Sequence, residues 1–506
     1  KRYILRAMES LVSIKNATCR LGRSKNLKIT NFEIREGEHW CIFGANGSGK
    51  SVFADLLASK RVESGSYVKY LQGFDPAKDI HFVSFEEQQE LWRSDNRLDM
   101  SEYSDDGQDQ GTLVIDLVKS SRISAYQDSP LLDKLVHSLS LESYLRKGIR
   151  FLSSGQIRRA LIARALYAFN SSAAQLLIFD DPLESIDIES QVIIKNTISE
   201  FLANFTSIQL CRRPEDFLPS LTHVAILDNL RLTEQGEVHL VKTSAAYKNV
   251  IGKRPSIPLN LPDAVSEKVL LPSEEPIIRL NNIDVSYGKL QVLENFSWQM
   301  MPGDDVVIEG PNGCGKSTLL NLIDGDNHKA YGQDVFLFGK KKGSGETIWE
   351  LKSKFGKVSN ELHNKYLRGW RVLDVVVSGF FDSVGLYDES GTTESAIAKK
   401  WLETFGLGSL VSSYYDEISF GQQRMVLLAR AMVKSPKILI LDEPCVGLDN
   451  YHRVLILGVI DLISRQTETQ IIYVSHTQNE MPNCINIRLI FTPSADGPSS
   501  VRIERL

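Results

Sequence analysis

The feature that most constrains this chain is a phosphate-loop pattern that occurs twice. G-x-x-x-x-G-K-[ST] runs from Gly44 to Ser51 and again from Gly310 to Ser317, roughly half the chain apart. An apolar stretch leads into each copy, EGEHWCIF in the first half and PGDDVVIE in the second, so each loop is expected to end a buried strand and open a helix. Glycines at this spacing let the backbone curl until successive N–H groups point at phosphate oxygens, and the positive end of the following helix adds to the attraction. One chance match in a chain of this length has a probability on the order of a few per cent, taking glycine at about 7% of residues. Two matches, each followed by the same further motifs in the same order, mark a duplication rather than a short-period repeat.

Those further motifs are a serine-glycine-glutamine segment opening a basic helix, LSSGQIRRALIARAL and then ISFGQQRMVLLARAM, and an apolar strand ending in acid, LLIFDDP and then ILILDEP. Strands alternating with helices predict an α/β fold in each half. At 506 residues the chain is too long for one core. We expect a first domain over residues 1–245, a connector rich in Pro, Ser and Glu over 246–276, and a second domain over 277–506. Within the halves, Asp99 to Gly111 reads as an exposed acidic loop and Lys340, Lys341 and Lys342 as a solvated basic turn.

Composition narrows the function classes. A net charge of -5 gives no global case for wrapping nucleic acid or lying on an anionic membrane. Apolar runs such as Ala174 to Phe179 and Ile438 to Leu441 suit buried strands and are too short to span a bilayer. The six cysteines show no CxxC spacing, which argues against a zinc site or a disulfide framework and for a reducing, cytoplasmic compartment. The opening KRYILRAM also suits the tail of a targeting segment, which leaves a mitochondrial or other organellar location as the alternative.

The chemistry the motifs permit is phosphate-bond hydrolysis with ATP and Mg2+. Lys50 and Lys316 are expected to reach the β and γ phosphates, and the hydroxyls of Ser51 and Ser317 to ligate magnesium. Gly44, Asn46, Gly47 and Gly49 would line the first ATP site, and Gly310, Asn312, Gly313, Gly315 and Thr318 the second. Asp180 and Asp442 are placed to hold magnesium through water, and Glu443 to polarise the attacking water as general base. His476, in IIYVSHT, is the candidate to hold the γ phosphate and that water in line.

The serine-glycine-glutamine segment between phosphate loop and acidic strand resembles the ATP-binding-cassette family and not other phosphate-loop ATPases. The resemblance implies two cassettes of the P-loop NTPase fold in tandem, each with a helical subdomain between its loop and its signature, facing head to tail. Ser153, Gly155 and Gln156 would then cap the nucleotide held by Lys316, and Ser419, Gly421 and Gln422 the one held by Lys50. An ordinary helix N-cap is compatible with this role, because a capped helix N-terminus is also what binds a γ phosphate. The same resemblance puts Tyr287 against adenine. Over its whole length, most tellingly in FGKKKGSGETIWELK, VVVSGFFDSVGLY and SFGQQR, the chain is similar to tandem bacterial ATPases of the molybdate-transport or photorepair type. The magnesium-sensing glutamine of transporters has no clear counterpart, since the matching places read VSFEE around Phe85 and VSNEL around Asn360, with Gln88 and Gln89 nearby. The connector is too short for the long helical linker of one ribosome-acting branch, and the six scattered cysteines give no expectation of the cysteine-rich domain of another.

The halves are unequal. Where the second has Tyr287, Glu443 and His476, the first has Leu21, Asp181 and Arg212. Aspartate is one methylene shorter than glutamate, and a misplacement on the order of 1 Å can cost about a hundredfold in rate. We therefore expect one working site at Lys316 and one slow or non-hydrolysing site at Lys50, with Asp181 serving as an adequate base as the alternative. Three functions remain open: an ATPase that remodels a protein or ribonucleoprotein partner, the energy subunit of a separate membrane transporter, and an ATP-held scaffold with negligible turnover. None of them requires a homodimer.

Overall fold

The computed structural model describes residues 10–21, 25–60, 67–84, 87–88, 91, 94–95, 111–120, 130–168, 174–184, 186–202, 205–263, 275–287, 290–311, 313–325, 328–330, 332–345, 347–366, 369–385, 391–475, 480–494 and 497–506. The chain forms two compact units, Lys1–Lys253 and Arg254–Leu506. Of the segment expected to connect them, Ala245–Gly252 is a helix of the first unit, capped by the Ser244 hydroxyl, which accepts from Tyr247 N. Residues 254–263 lie in the second unit, where the Gln466 side chain accepts from Leu261 N at 3.0 Å and donates to Leu259 O at 2.8 Å. Residues 264–274 lie outside the described residues, as does the acidic stretch from Asp99 up to Gly111.

The first unit holds β1 (Ser10–Leu21), β2 (Lys25–Arg35), β3 (His39–Phe43), β4 (Tyr67–Tyr70), β5 (Ile80–Val83), β6 (Leu176–Asp180), β7 (Thr206–Cys211), β8 (His223–Asp228) and β9 (Arg231–Glu237). They form one sheet in the order β4-β1-β2-β9-β8-β3-β7-β6-β5. Its parallel part, β8-β3-β7-β6-β5, is covered on both faces, which is why HWCIF in β3 is buried at every residue rather than alternating. Helices Val114–Lys119, Pro130–Ser138 and Ser154–Ala168 pack through Val114, Leu117, Leu132, Leu135, Ile157 and Leu161 into the helical subdomain expected between loop and signature.

The second unit repeats this plan with β10 (Ile278–Tyr287), β11 (Leu290–Met300), β12 (Val306–Glu309), β13 (Asp334–Leu337), β14 (Lys340–Lys341), β15 (Phe355–Val358), β16 (Ile438–Asp442), β17 (Gln470–Ser475), β18 (Ile487–Thr492) and β19 (Ser500–Arg505). Here the described strands fall into two sheets, β11-β10-β13-β14 and β15-β16-β17-β12-β18-β19. In the first unit β9 pairs with β8 and, at Lys28 and Arg231, with β2, which fuses the two sheets into one. Helices Val372–Val377, Thr392–Thr404 and Phe420–Met432 form the matching helical layer.

The basic turn departs from expectation. Lys340 and Lys341 form the exposed edge strand β14, and Lys342 is buried. Lys342 N donates to Val335 O at 2.8 Å, so the ladder continues one residue further and keeps that side chain against the sheet. Among the described residues no helix is long and apolar enough to cross a membrane.

Candidate functional site

Each phosphate loop leaves the C-terminal end of a central parallel strand, β3 at Phe43 and β12 at Glu309, as the sequence predicts. The following helices, Lys50–Leu57 and Lys316–Ile323, start from Gly49 and Gly315, whose φ of 102° and 104° lies where a side chain is disfavoured. Lys50 Nζ donates to the carbonyls of Gly44 and Ala45 at 2.8 and 3.0 Å, and Lys316 Nζ to those of Gly310 and Pro311 at 2.7 and 2.8 Å. Both ammonium groups are thus held over their loops in the same way. Gly47 and Gly313 also take positive φ, and Asn46 is half-buried in the first loop. Ser51 and Ser317 are exposed at the first turn of each helix with Thr318 beside the second, while Asn312 lies outside the described residues.

The acidic strands bring their carboxylates to the same edge. In register, β6 pairs Asp180 with Leu210 and β16 pairs Asp442 with Val474. The next residues, Asp181 and Glu443, both adopt a left-handed backbone, φ 44° and 51°, and each donates its N–H to the neighbouring strand at 3.2 Å, to Leu210 O and Val474 O. A non-glycine residue held in that region at matching positions of both units is strain of the kind that accumulates at functional sites.

Burial and the adjoining acid push Asp180 up to about 7, against the pull of Arg212 and Lys50. Burial and Glu443 push Asp442 up to about 6, opposed by Lys357, Lys316 and Arg424. In the first unit the Ser51 hydroxyl lies 3.4 Å from Asp180 Oδ2. A hydroxyl and a carboxylate, both hard oxygen donors, fit a magnesium ion.

The two sites part at the end of the next strand. Phe43 pairs with Cys211, and Glu309 with Ser475, so Arg212 follows its strand at the point where the sequence of the second half has His476. His476 itself lies outside the described residues. Arg212 Nε donates to Asp181 Oδ2 at 2.7 Å, and its Nη2 donates to Glu184. The three side chains are only 15%, 10% and 12% exposed. Burial works against the guanidinium's charge, but Asp181 and Glu184 outweigh it and raise its affinity for its proton. Glu184 was not among the residues singled out from the sequence; the second half has Val446 in its place.

Both signature segments open helices through reciprocal capping. Ser153 Oγ accepts from Gln156 N at 3.3 Å while Gln156 Oε1 accepts from Ser153 N at 3.0 Å, and Ser419 and Gln422 do the same at 3.4 and 2.9 Å. A Cβ at Gly155 or Gly421 would meet close neighbours, far more severely at Gly421. A Cβ on Gly155 would stand 2.8 Å from Ser190 Oγ, and one on Gly421 2.2 Å from Cγ of the His452 ring. His452 Nδ1 lies 2.9 Å from Asp449 Oδ1, so the ring that packs on Gly421 is held to the N-cap of its own helix. No local pattern marks this contact, because only the fold brings residues 421 and 452 together.

Behind the signatures lie two fully buried arginines, Arg158 and Arg424. Arg424 donates to Ser359 O at 3.4 Å and to the Asn360 side chain, so the residue at the glutamine position of transporters is tied to the signature helix. In the first unit Phe85 and Gln89 lie outside the described residues. Gln88 is 1% exposed, with no amide partner among the described residues. Leu21 and Tyr287 end β1 and β10 and pair with Lys25 and Leu290, corresponding places in the two hairpins; their side chains are outside the described part.

Comparison with known proteins agrees with this duplicated geometry. A family model described as ABC transporter matches residues 27–184 and 293–446. The ABC transporter ATP-binding protein ModF of Escherichia coli is 34% identical over 96% of this chain and 97% of its own length. An uncharacterized ABC transporter ATP-binding protein of Schizosaccharomyces pombe is 27% identical over 95% of this chain and 98% of its own. Among solved structures, the archaeal ribosome recycling factor aABCE1 in complex with the ribosomal stalk protein aP1 is similar at a TM-score of 0.55 and 16% identity, covering 96% of this chain and 89% of that one. The ribosome-bound archaeal Pelota and ABCE1 model gives 0.59 and 16%, covering 97% and 78%.

Proposed function

Because this chain belongs to the ABC transporter family of ATP-binding proteins, we propose that it works as a twin-cassette ATPase whose two cassettes close head to tail on two MgATP and hydrolyse mainly one. The observation that carries this reading is the difference at register-matched positions. Both units hold an acid in a left-handed backbone after the acidic strand, but in the first that acid is the shorter Asp181, ion-paired to Arg212.

At the working site Lys316 binds the β and γ phosphates, and Ser317 and Asp442, the latter through water, hold the magnesium. The chemistry magnesium supplies when bound is neutralisation of charge on the β and γ oxygens. Glu443 accepts a proton as water attacks the γ phosphorus; the bond to the β–γ bridging oxygen breaks, and ADP and inorganic phosphate result. His476 keeps phosphate and water in line, Tyr287 stacks on adenine, and the signature at Ser153, Gly155 and Gln156 closes the site from the other cassette. At the first site Lys50, Ser51 and Asp180 hold MgATP under the signature at Ser419, Gly421 and Gln422 as a clamp. Loss of the bridging γ phosphate at the working site relaxes the closed pair.

The partner moved by this cycle is a protein or ribonucleoprotein complex. The recycling factor that shares the fold is found with a ribosomal stalk protein and, with Pelota, on the ribosome. Copurification of the chain with a polytopic membrane protein would replace this reading with that of a transporter's energy subunit. The catalytic reading is tested by Glu443→Gln. It should lower phosphate release by at least about a hundredfold and leave two ATP retained per chain. Residual turnover near the wild-type rate, or one retained nucleotide, would overturn it.

A further inference from the structure

The first site's candidate base is held by a charge cluster that has no equivalent in the sequence of the second half. Asp181 Oδ2 already accepts a guanidinium hydrogen from Arg212 at 2.7 Å, and Arg212 is fixed on its other side by Glu184. A carboxylate oxygen engaged in a buried, charge-assisted hydrogen bond has that acceptor position filled and its side chain aimed at the guanidinium, not at a water beside the phosphate. The cluster is dense: Arg212 lies between Asp181 and Glu184, each of these side chains at most 15% exposed, and the buried Arg158 and the adjoining Asp180 act on the same group of charges. Removing Arg212 would strip two buried acids of their shared ion-pair partner, so the cation holds the arrangement together. In the second half the three positions read Glu443, Val446 and His476, a set in which the i+3 acid and the guanidinium are both gone.

We propose that Arg212 and Glu184 form a latch on Asp181 that holds the first nucleotide site silent, so that the site is kept from turning over by an ion-pair cluster and not only by a short acid. The inference rests on the reading that the first loop binds MgATP and that Glu443 is the base of the other site. Arg212 and Glu184 are positioning residues here: they act through Asp181. The exchange that undoes the latch is electrostatically neutral, because Glu184→Val and Arg212→His remove one charge of each sign.

The test uses the full chain carrying Glu443→Gln, with release of radiolabelled phosphate from MgATP as the readout. Adding Asp181→Glu alone should leave the rate within about threefold of that background, because the longer acid still meets Arg212. Adding Asp181→Glu together with Glu184→Val and Arg212→His should raise it by at least about thirtyfold. The latch is overturned when Asp181→Glu alone gives the full gain, or when the triple exchange stays at background while the chain melts normally and retains ATP. Should the triple exchange fail to fold, the cycle of Arg212→Gln, Asp181→Asn and both together decides by melting temperature. The double variant should lie several degrees above the sum of the single losses, and additive losses would refute the pairing. Fast turnover in the Glu443→Gln chain that vanishes on adding Asp181→Asn would remove both the one-base reading and the latch. Low turnover in that chain and in the folded triple exchange removes the latch alone.

Discussion

Two acids in this molecule share one backbone address and differ in what surrounds them. Asp181 and Glu443 each follow an acidic strand, each turn through a left-handed φ, and each bond to the third strand's carbonyl at 3.2 Å. Around Asp181 the fold adds Arg212 and Glu184; around Glu443 the sequence supplies His476 and Val446. Duplication has kept the backbone that places an acid after each acidic strand and changed the charges that surround it, the change on which the proposed inequality of the two sites rests. Divergence of function needs no change of fold when a single cation can alter an acid's chemistry.

The widest expected separation between the halves is at the phosphate loops. Lys316→Ala removes a charge from the working site and should lower phosphate release on the order of a thousandfold, whereas Lys50→Ala should lower it by less than about tenfold, through loss of the clamp. Equal losses from the two substitutions in a phosphate-release assay would break the comparison.

Next in size is a contrast in stability at the signatures. Alanine at either glycine gains up to about 1 kcal/mol of helix propensity. At Gly155 the new methyl meets a serine hydroxyl at 2.8 Å that can swing aside, and the two effects should nearly cancel. At Gly421 it meets the root of the His452 ring at 2.2 Å, and that ring is tethered to Asp449. Gly421→Ala should therefore destabilise by about 1–3 kcal/mol, the usual cost of overpacking. Calorimetry that finds Gly155→Ala the more damaging of the two would contradict the packing described.

The duplicated loops, the acidic strands and the signature helices were all legible in the sequence, because each is encoded locally. Glycine at Gly49 and Gly315 reports a backbone angle, an apolar run such as HWCIF reports a buried parallel strand, and Ser with Gln three residues on reports a capped helix. Contacts between segments distant along the chain were not legible. Glu184 reads as one more acid until the turn after β6 brings it to an arginine 28 residues on. His452 carries no mark in the sequence until the first turn of Asn450–Gln466 is laid over Gly421. Lys342 reads as solvated until the strand ladder carries it inward.

A smaller asymmetry concerns acid. His363 is buried in the second unit, with Nδ1 2.9 Å from the Tyr415 hydroxyl and its ring 5.0 Å from that of Phe420. Burial first, and the nearby Arg424 charge second, lower its pKa from 6.5 to about 3. Between those values the unfolded chain binds a proton that the folded chain refuses, so stability is fully present above the unfolded value and is lost as pH falls toward 3. From pH 7.5 to 5 the second unit should lose on the order of 2 kcal/mol through this residue. The aligned residue of the first unit, Gln88, does not titrate. Denaturant unfolding at the two pH values checks the prediction, and His363→Gln should remove most of the difference.

The smallest effect tests the comparison most directly. With Asp181 tied to Arg212, replacing it with asparagine keeps the side chain's shape and one hydrogen-bond acceptor for the guanidinium, and removes a charge that on the proposed reading takes no part in turnover. Steady-state phosphate release from Asp181→Asn should stay within about twofold of wild type, where losing a working general base costs about a hundredfold or more. The change leaves Arg212 with Glu184 as its one carboxylate in that cluster, so a modest drop in melting temperature is expected alongside unaltered turnover. Stability and activity therefore move apart at this one position, whereas at Glu443 activity should fall with the fold intact. A tenfold loss of turnover in Asp181→Asn would mean that both acids work as bases and that the ion pair with Arg212 opens whenever ATP is bound.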